Sequence, residues 1–134
     1  MNRDADDTLV KELLELNQRL LESIADGDWE TYAGLCDPDL TAFEPEGRGH
    51  LVEGMDFHRF YLDLGGMDGP HNVTMSSPKV LLLGPDAAAV LYVRLVQRLG
   101  EAHGPITVVS EETRLWQRRD GAWRHVHFHR SIPQ

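Results

Sequence analysis

Apolar residues recur early in the chain at Leu9, Leu13, Leu16, Leu20 and Ile24, in steps of four, three, four and four, with charged residues filling the other side. That spacing predicts an amphipathic helix, and Asp4, Asp6 and Asp7 stand at the end where its dipole favours negative charge. Asp26-Gly27-Asp28 then turns the chain into a shorter helix with Trp29, Tyr32 and Ala33 on one face, stopped by Asp37-Pro38. A short strand around 40–43 and a loop over 44–54 lead to a third helix, whose apolar face is read as Phe57, Phe60, Tyr61 and Leu64, with Gly65-Gly66 as its stop. Beyond Pro70 the pattern changes to alternating, β-branched runs at about 72–76, 80–83, 87–99, 106–119 and 122–130. Their separators are Ser77-Pro78, Gly84-Pro85-Asp86, residues 100–105 and Asp120-Gly121, the last a tight-hairpin signal. Helices first and an antiparallel meander afterwards predict an α+β fold, with three helices packed on one face of a curved sheet. One domain over 1–134 is expected, residues 1–7 forming a flexible acidic N-terminus.

Composition narrows the function classes. A chain of 134 residues buries roughly two-thirds of its unfolded surface, enough for one core with one pocket. No apolar run approaches the about 18 residues of a membrane span. A formal net charge of -9 repels a phosphate backbone, so neither nucleic acid nor membrane is an expected partner. The lone cysteine, Cys36, excludes an intrachain disulfide, and no charged-then-apolar leader follows Met1, so a cytoplasmic location is expected. Cys36 reads as a small buried apolar residue, with no chemistry assigned. Dinucleotide, Walker and kinase signatures are missing, and no cofactor is expected. Asp26 to Asp37 places oxygen donors at several calcium-loop positions, but Thr31 stands where that loop needs glycine, and calcium is rejected.

Two sets of residues carry candidate chemistry. His125, His127 and His129 alternate along the last strand, which by parity puts all three on one face. The first and third are about 13 Å apart along a strand, while zinc–nitrogen bonds are about 2 Å, so one ion takes at most two of them. They are read as a surface or subunit-facing row that would make assembly pH-sensitive, with no metal assigned. The opposite parity holds Val126, Phe128 and Arg130, so Arg130 points inward. Arg94 and Arg114 stand in similarly apolar runs, although parity alone leaves their direction open. A buried guanidinium demands an anion. Internal pairing with Glu111, Glu112 or Glu44 supplies one, and a bound carboxylate ligand supplies another; residue pattern does not choose between them.

The segments DPDLTAFEPEGRGHLVEGMDFHRFY (37–61) and SEETRLWQRRDGAWRHVHFHRS (110–131) resemble the association, or hub, domain of calcium/calmodulin-dependent protein kinase II. The likeness runs from about Val10 to Ser131. It implies the cone of the nuclear transport factor 2-like (NTF2-like) superfamily, a strongly bent antiparallel sheet closed by helices. It also implies a non-enzymatic assembly domain, whose dimers build a ring-like homo-oligomer, and a deep pocket that accepts small carboxylates. Carried over by motif, the pocket residues are His58, Arg94, Arg114 and Arg130, with the arginines inward. This chain carries no kinase domain or calmodulin-binding helix, so a stand-alone hub is expected, with any protein partner unknown. The stretch 62–70 looks shorter than the family's loop and lacks the tryptophan that some members have there.

Two other functions compete. The same cone houses isomerases, dehydratases and cyclases, in which His58 would act as base with Glu44, Tyr61 or Asp56 nearby and the arginines would stabilise an enolate. Asp56, two residues from His58 on a helix, faces away from it. A binding module that senses a metabolite through its ring is the third reading.

Overall fold

The N-terminal periodicity produces α1 (Arg3–Asp26), with Asp4 and Asp6 in its first turn and Leu13, Leu20 and Leu21 buried. The computed structural model describes residues 3–100 and 104–133, so the expectation of a flexible 1–7 falls partly, and the separator 100–105 partly, outside the described residues. Asn17 is also buried on α1: its side-chain oxygen accepts the Trp116 indole N–H at 3.0 Å. The second helix, α2 (Trp29–Leu35), starts at Asp28, whose carboxylate accepts both the backbone N–H and the hydroxyl of Thr31. It is followed directly by β1 (Cys36–Phe43), a longer strand than the sequence indicated. A single 3-10 turn (Pro45–Gly47) and β2 (Val52–Glu53) lead to α3 (Asp56–Asp63).

The meander is β3 (His71–Leu82), β4 (Ala87–Gly100), β5 (Gly104–Arg119) and β6 (Ala122–Ser131). The two runs expected at 72–76 and 80–83 are one strand, because Ser77, at φ +51, takes the extra residue of a bulge and pairing resumes at Lys79. The six strands form one sheet in the order β2-β1-β6-β5-β4-β3, with β1 parallel to β6 and every other pair antiparallel. The α+β class is as expected, and α1 lies across β3 and β4. Asp120 and Gly121, both at positive φ, make the two-residue turn between paired Arg119 and Ala122. No described helix is long and apolar enough to cross a membrane.

A second bulge changes what faces the interior. Leu115 pairs with His127 but Trp116 with His125, so two steps on β6 match one on β5 and Val126 is the extra residue. The strand's inner face is therefore Trp123, His125, Phe128 and Arg130, and the expected three-histidine row does not form. His125 is fully buried, whereas His127 and exposed His129 lie outside with Phe43, and Thr41 Oγ1 is 2.7 Å from His127 Nδ1.

The third helix also differs from expectation. Its buried residues are His58 and Leu62, four apart, while Phe60 is 63% and Leu64 71% exposed. Of the four residues expected to form a core face, Phe57 packs against the core and Tyr61 borders a cavity, while Phe60 and Leu64 point outward, because the helix turns its His58–Leu62 edge toward that cavity.

The chain after α3 returns tightly against the end of α1. Gly27, at φ +67, follows α1, and Gly66 crosses it so closely that a Cβ on Gly66 would lie 2.4 Å from the Asp26 carbonyl carbon. Met67 N–H donates to Ala25 O at 2.9 Å across the same contact. Gly66→Ala is expected to push this loop off α1 and to destabilise the protein by roughly 1–3 kcal/mol, read as a lower urea midpoint at unchanged slope.

Candidate functional site

On β4 the buried positions Val90, Tyr92 and Val96 share their side with Arg94, and on β5 Ser110, Glu112, Arg114 and Trp116 are all buried. Alternation thus turns both arginines inward, and register puts Tyr92 opposite Glu112 and Arg94 opposite Ser110. On β6, Phe128 and Arg130 reach the same interior because the Val126 bulge has already reset parity. Glu44 closes the space from the end of β1, Glu46 from the 3-10 turn, and His58, Tyr61 and Leu62 from α3. The result is a cavity of about 180 Å³ walled by Tyr32, Glu44, Glu46, His58, Arg94, Arg114, Phe128 and Arg130, among others.

Behind the cavity wall, Glu112 is the hub of the polar contacts. Its Oε1 accepts Tyr92 O–H at 2.6 Å and Arg114 Nε at 3.0 Å, with Arg114 Nη2 also at 3.0 Å; its Oε2 accepts the Ser110 hydroxyl at 3.0 Å. Arg94 Nε lies 2.9 Å from the same Oε2 but does not aim its N–H at it, so that contact is an ion pair without a hydrogen bond. Burial opposes ionisation of Glu112, yet Arg114 and Arg94 outweigh it and hold the carboxyl at about 2. Burial and the adjacent Glu112 push the Tyr92 phenol up to about 12, so it remains a donor to Glu112 and an acceptor from Arg114 Nε at 2.9 Å.

Arg114, fully buried, also stacks on Phe128 at 4.2 Å and approaches His125 Nε2 through Nη1 at 3.4 Å. Burial, with Arg114 beside it, lowers the His125 pKa far below the ordinary histidine range, so the ring is neutral. Since guanidinium only donates, Nε2 is the acceptor and the proton sits on Nδ1, facing Cys36 Sγ at 3.4 Å. Burial likewise pushes the Cys36 thiol up to about 12; it is a packed, unreactive group, as expected.

Nearer the opening, Arg130 pairs with Glu46, and His58 Nδ1 stands 3.8 Å from Glu44 Oε1. The His58 ring packs against Tyr32, Phe57 and Phe128, and its buried Nε2 has no partner among the described residues. Burial and then Arg114 lower its pKa to about 4, which keeps it neutral near pH 7. Burial, reinforced by Glu46 and opposed by Arg130, raises Glu44 to about 7. Asp56 is exposed and away from His58, as helical spacing required.

All four residues expected to line a pocket, His58, Arg94, Arg114 and Arg130, therefore border one cavity. The choice between internal pairing and an inward cavity was not exclusive: each arginine meets a carboxylate, and the cavity remains beside them. Of the candidate internal anions, Glu112 fills the role, Glu111 is not on the inner face, and Glu46 was not foreseen. Tyr92 and His125 were also missed. Tyr92 was legible in principle from the Val90–Tyr92–Arg94 alternation, whereas His125 was hidden by a bulge that leaves no mark in a strand-like sequence.

The model of the calcium/calmodulin-dependent protein kinase II association domain matches residues 10–133. The rabbit (Oryctolagus cuniculus) calcium/calmodulin-dependent protein kinase type II subunit delta is 50% identical over 123 residues, which are 90% of this chain and 23% of that protein. The chain thus spans about a quarter of the length of that curated relative. The association domain of C. elegans CaMKII superposes with a TM-score of 0.91 at 42% identity, covering 97% of this chain and all of that one. The fold alone is shared with a nuclear transport factor 2 (NTF2-like) superfamily protein from Salmonella enterica, at a TM-score of 0.76 and 21% identity over 96% of this chain and 94% of that one.

Glu112→Gln is expected to destabilise the protein by about 3–5 kcal/mol in denaturant titrations, because it leaves two inward arginines without their shared anion. With its folded pKa depressed from 4.5 to about 2, Glu112 contributes fully above pH 4.5, and that contribution disappears as pH falls toward 2. The variant's stability is expected to lose this acid-limb dependence.

Proposed function

The chain belongs to the calcium/calmodulin-dependent protein kinase II association domain family, and on that premise we propose that it is an assembly domain that associates with copies of itself and holds a small carboxylate in its cavity. Family membership over residues 10–133 supports the assembly half. The exposed Phe60 and Leu64 of α3, with Leu83 and Ile132, are apolar surface of the kind association removes from water. Dimers building a ring-like homo-oligomer is the arrangement this reading expects.

One observation carries the ligand half: three arginines and a histidine from four separate elements converge on one cavity of about 180 Å³. Arg94 meets Glu112 as an ion pair without a hydrogen bond from its Nε, and His58 Nε2 is buried without a partner among the described residues. Guanidinium groups of this kind match the two oxygens of a carboxylate. The enzymatic alternative, an isomerase, dehydratase or cyclase with His58 as base, finds no support. The carboxylate at ion-pair distance from the His58 ring among the described residues, Glu44, stands 3.8 Å away, and burial opposes the charge that a base at this position would acquire.

Light scattering on the purified chain at micromolar concentration is expected to give a mass several times 15.2 kDa; a clean monomer would refute the assembly half. The pocket is tested separately by calorimetric titration with propionate at pH 6. Saturable binding is expected in the wild type, weakened roughly tenfold or more in Arg94→Met, since a charge-assisted contact contributes about 1.5–3 kcal/mol. No binding in the wild type would remove the pocket and leave assembly untouched.

A further inference from the structure

Counting charges around the cavity shows a balance that a ligand must upset. Arg94, Arg114 and Arg130 bring three positive charges, and Glu112, Glu46 and Glu44 bring three negative ones when all are ionised. A monoanion entering that neutral set would leave four negative charges against three positive ones in a buried space, where a mismatch is far more costly than in water. One carboxylate must then give up its charge.

The contacts identify which. Glu112 is locked by Arg114, Arg94, Tyr92 and Ser110, and Glu46 is paired directly with Arg130. Glu44 makes no ion pair with an arginine among the described residues and stands 3.8 Å from the ring of neutral His58. The groups facing Glu44 are Tyr32 from α2, Glu46 from the 3-10 turn, His58 and Tyr61 from α3, Arg94 from β4, Arg114 from β5 and Arg130 from β6. Tyr32 is buried and its pKa raised, so it is already neutral, and burial, with Arg114 beside it, lowers the His58 pKa and disfavours a proton there.

We propose that the cavity takes up a monocarboxylate together with one proton from solvent, and that Glu44 carries it. This rests on the carboxylate-pocket reading above. Protonated, Glu44 becomes a neutral hydrogen-bond donor facing the ligand side of the cavity, and the net charge of the set rises by one, which the monoanion then cancels. Burial already biases Glu44 toward that state, at about 7 in the empty cavity. The linkage has a definite sign: affinity is greatest where Glu44 is already protonated and falls as pH rises through its titration.

The test is isothermal titration of the full chain with propionate between pH 6 and 8.5. Propionate stays ionised throughout this range, since aliphatic carboxyl groups titrate near pH about 4–5. The expected result is affinity falling about tenfold per pH unit above the Glu44 midpoint, with close to one proton taken up per ligand at pH 8.5, measured in two buffers of different ionisation enthalpy. Glu44→Gln, which fixes the neutral form, is expected to take up no proton and to bind more tightly than the wild type at pH 8.5; a thermal melt confirms that it is folded. Binding at pH 8.5 without proton uptake, or uptake that persists in Glu44→Gln, overturns the proposal and leaves the pocket standing. Absence of propionate binding at pH 6 removes the pocket reading itself and the proposal with it.

Discussion

A carboxylate buried in the middle of a sheet dictates the arrangement of this interior. Glu112 cannot ionise in an apolar core without partners, and the fold supplies two guanidiniums, a phenol and a hydroxyl from β4 and β5. Those partners are fixed in turn by register, since Tyr92 stands directly across from Glu112 and Arg94 across from Ser110. A one-residue slip between β4 and β5 would expose the whole set and leave its charges unpaired, so the ion cluster and the hydrophobic face specify the same register. Beyond the cluster, Arg114 carries the constraint to β6 by lying on Phe128 and donating to His125.

The bulge at Val126 makes that last connection possible. Without it, perfect alternation from Trp123 would place His125 and His127 inside and send Phe128 and Arg130 outward, emptying the cavity of one wall. With it, β6 delivers His125 to cap Arg114 at one end and Phe128 with Arg130 to face the cavity at the other. The added twist of a bulge also helps a sheet curl around its contents. The bulge at Ser77 on β3 interrupts the pairing with β4 in the same way.

These two features explain what was readable in the chain and what was not. Helix α1, the antiparallel meander at the end of the chain and the Asp120-Gly121 turn follow from periodicity and turn chemistry that act within a few residues, and they were legible. Inward arginines at 94 and 114 were legible only through resemblance, because both faces of their strands carry apolar residues. His125 was misplaced because residues 122–131 read as one uninterrupted strand, and the register jump lies in the pairing with β5. The face of α3 was half misassigned for a related reason: Phe60 and Leu64 are apolar and helically spaced with core-packed Phe57 and cavity-bordering Tyr61, but what turns the helix is the cavity that His58 and Leu62 close. Asn17 carries no signal of burial in the apolar periodicity of α1, yet it is buried and accepts the Trp116 indole N–H.

The three arginines are consequently unequal, although they share a cavity. Arg114 is saturated: its Nε and Nη2 serve Glu112 and Tyr92, its Nη1 faces His125, and its plane is stacked on Phe128. Such a group sets the electrostatic potential of the cavity and holds its wall, and it has little donor capacity left for a ligand. Arg130 is engaged by Glu46, which sits on a short turn at the surface and is partly exposed, so its partner can be exchanged at small desolvation cost. Arg94 stands beside Glu112 with a misaligned Nε that makes no hydrogen bond among the described residues, so it is the least committed of the three. A carboxylate entering here would therefore be held chiefly by Arg94 and Arg130, in the field of an Arg114 that never leaves its own pair. On the proposed carboxylate reading, that division would let one cluster stabilise the fold and meet an anion without the two demands competing for the same hydrogen bonds.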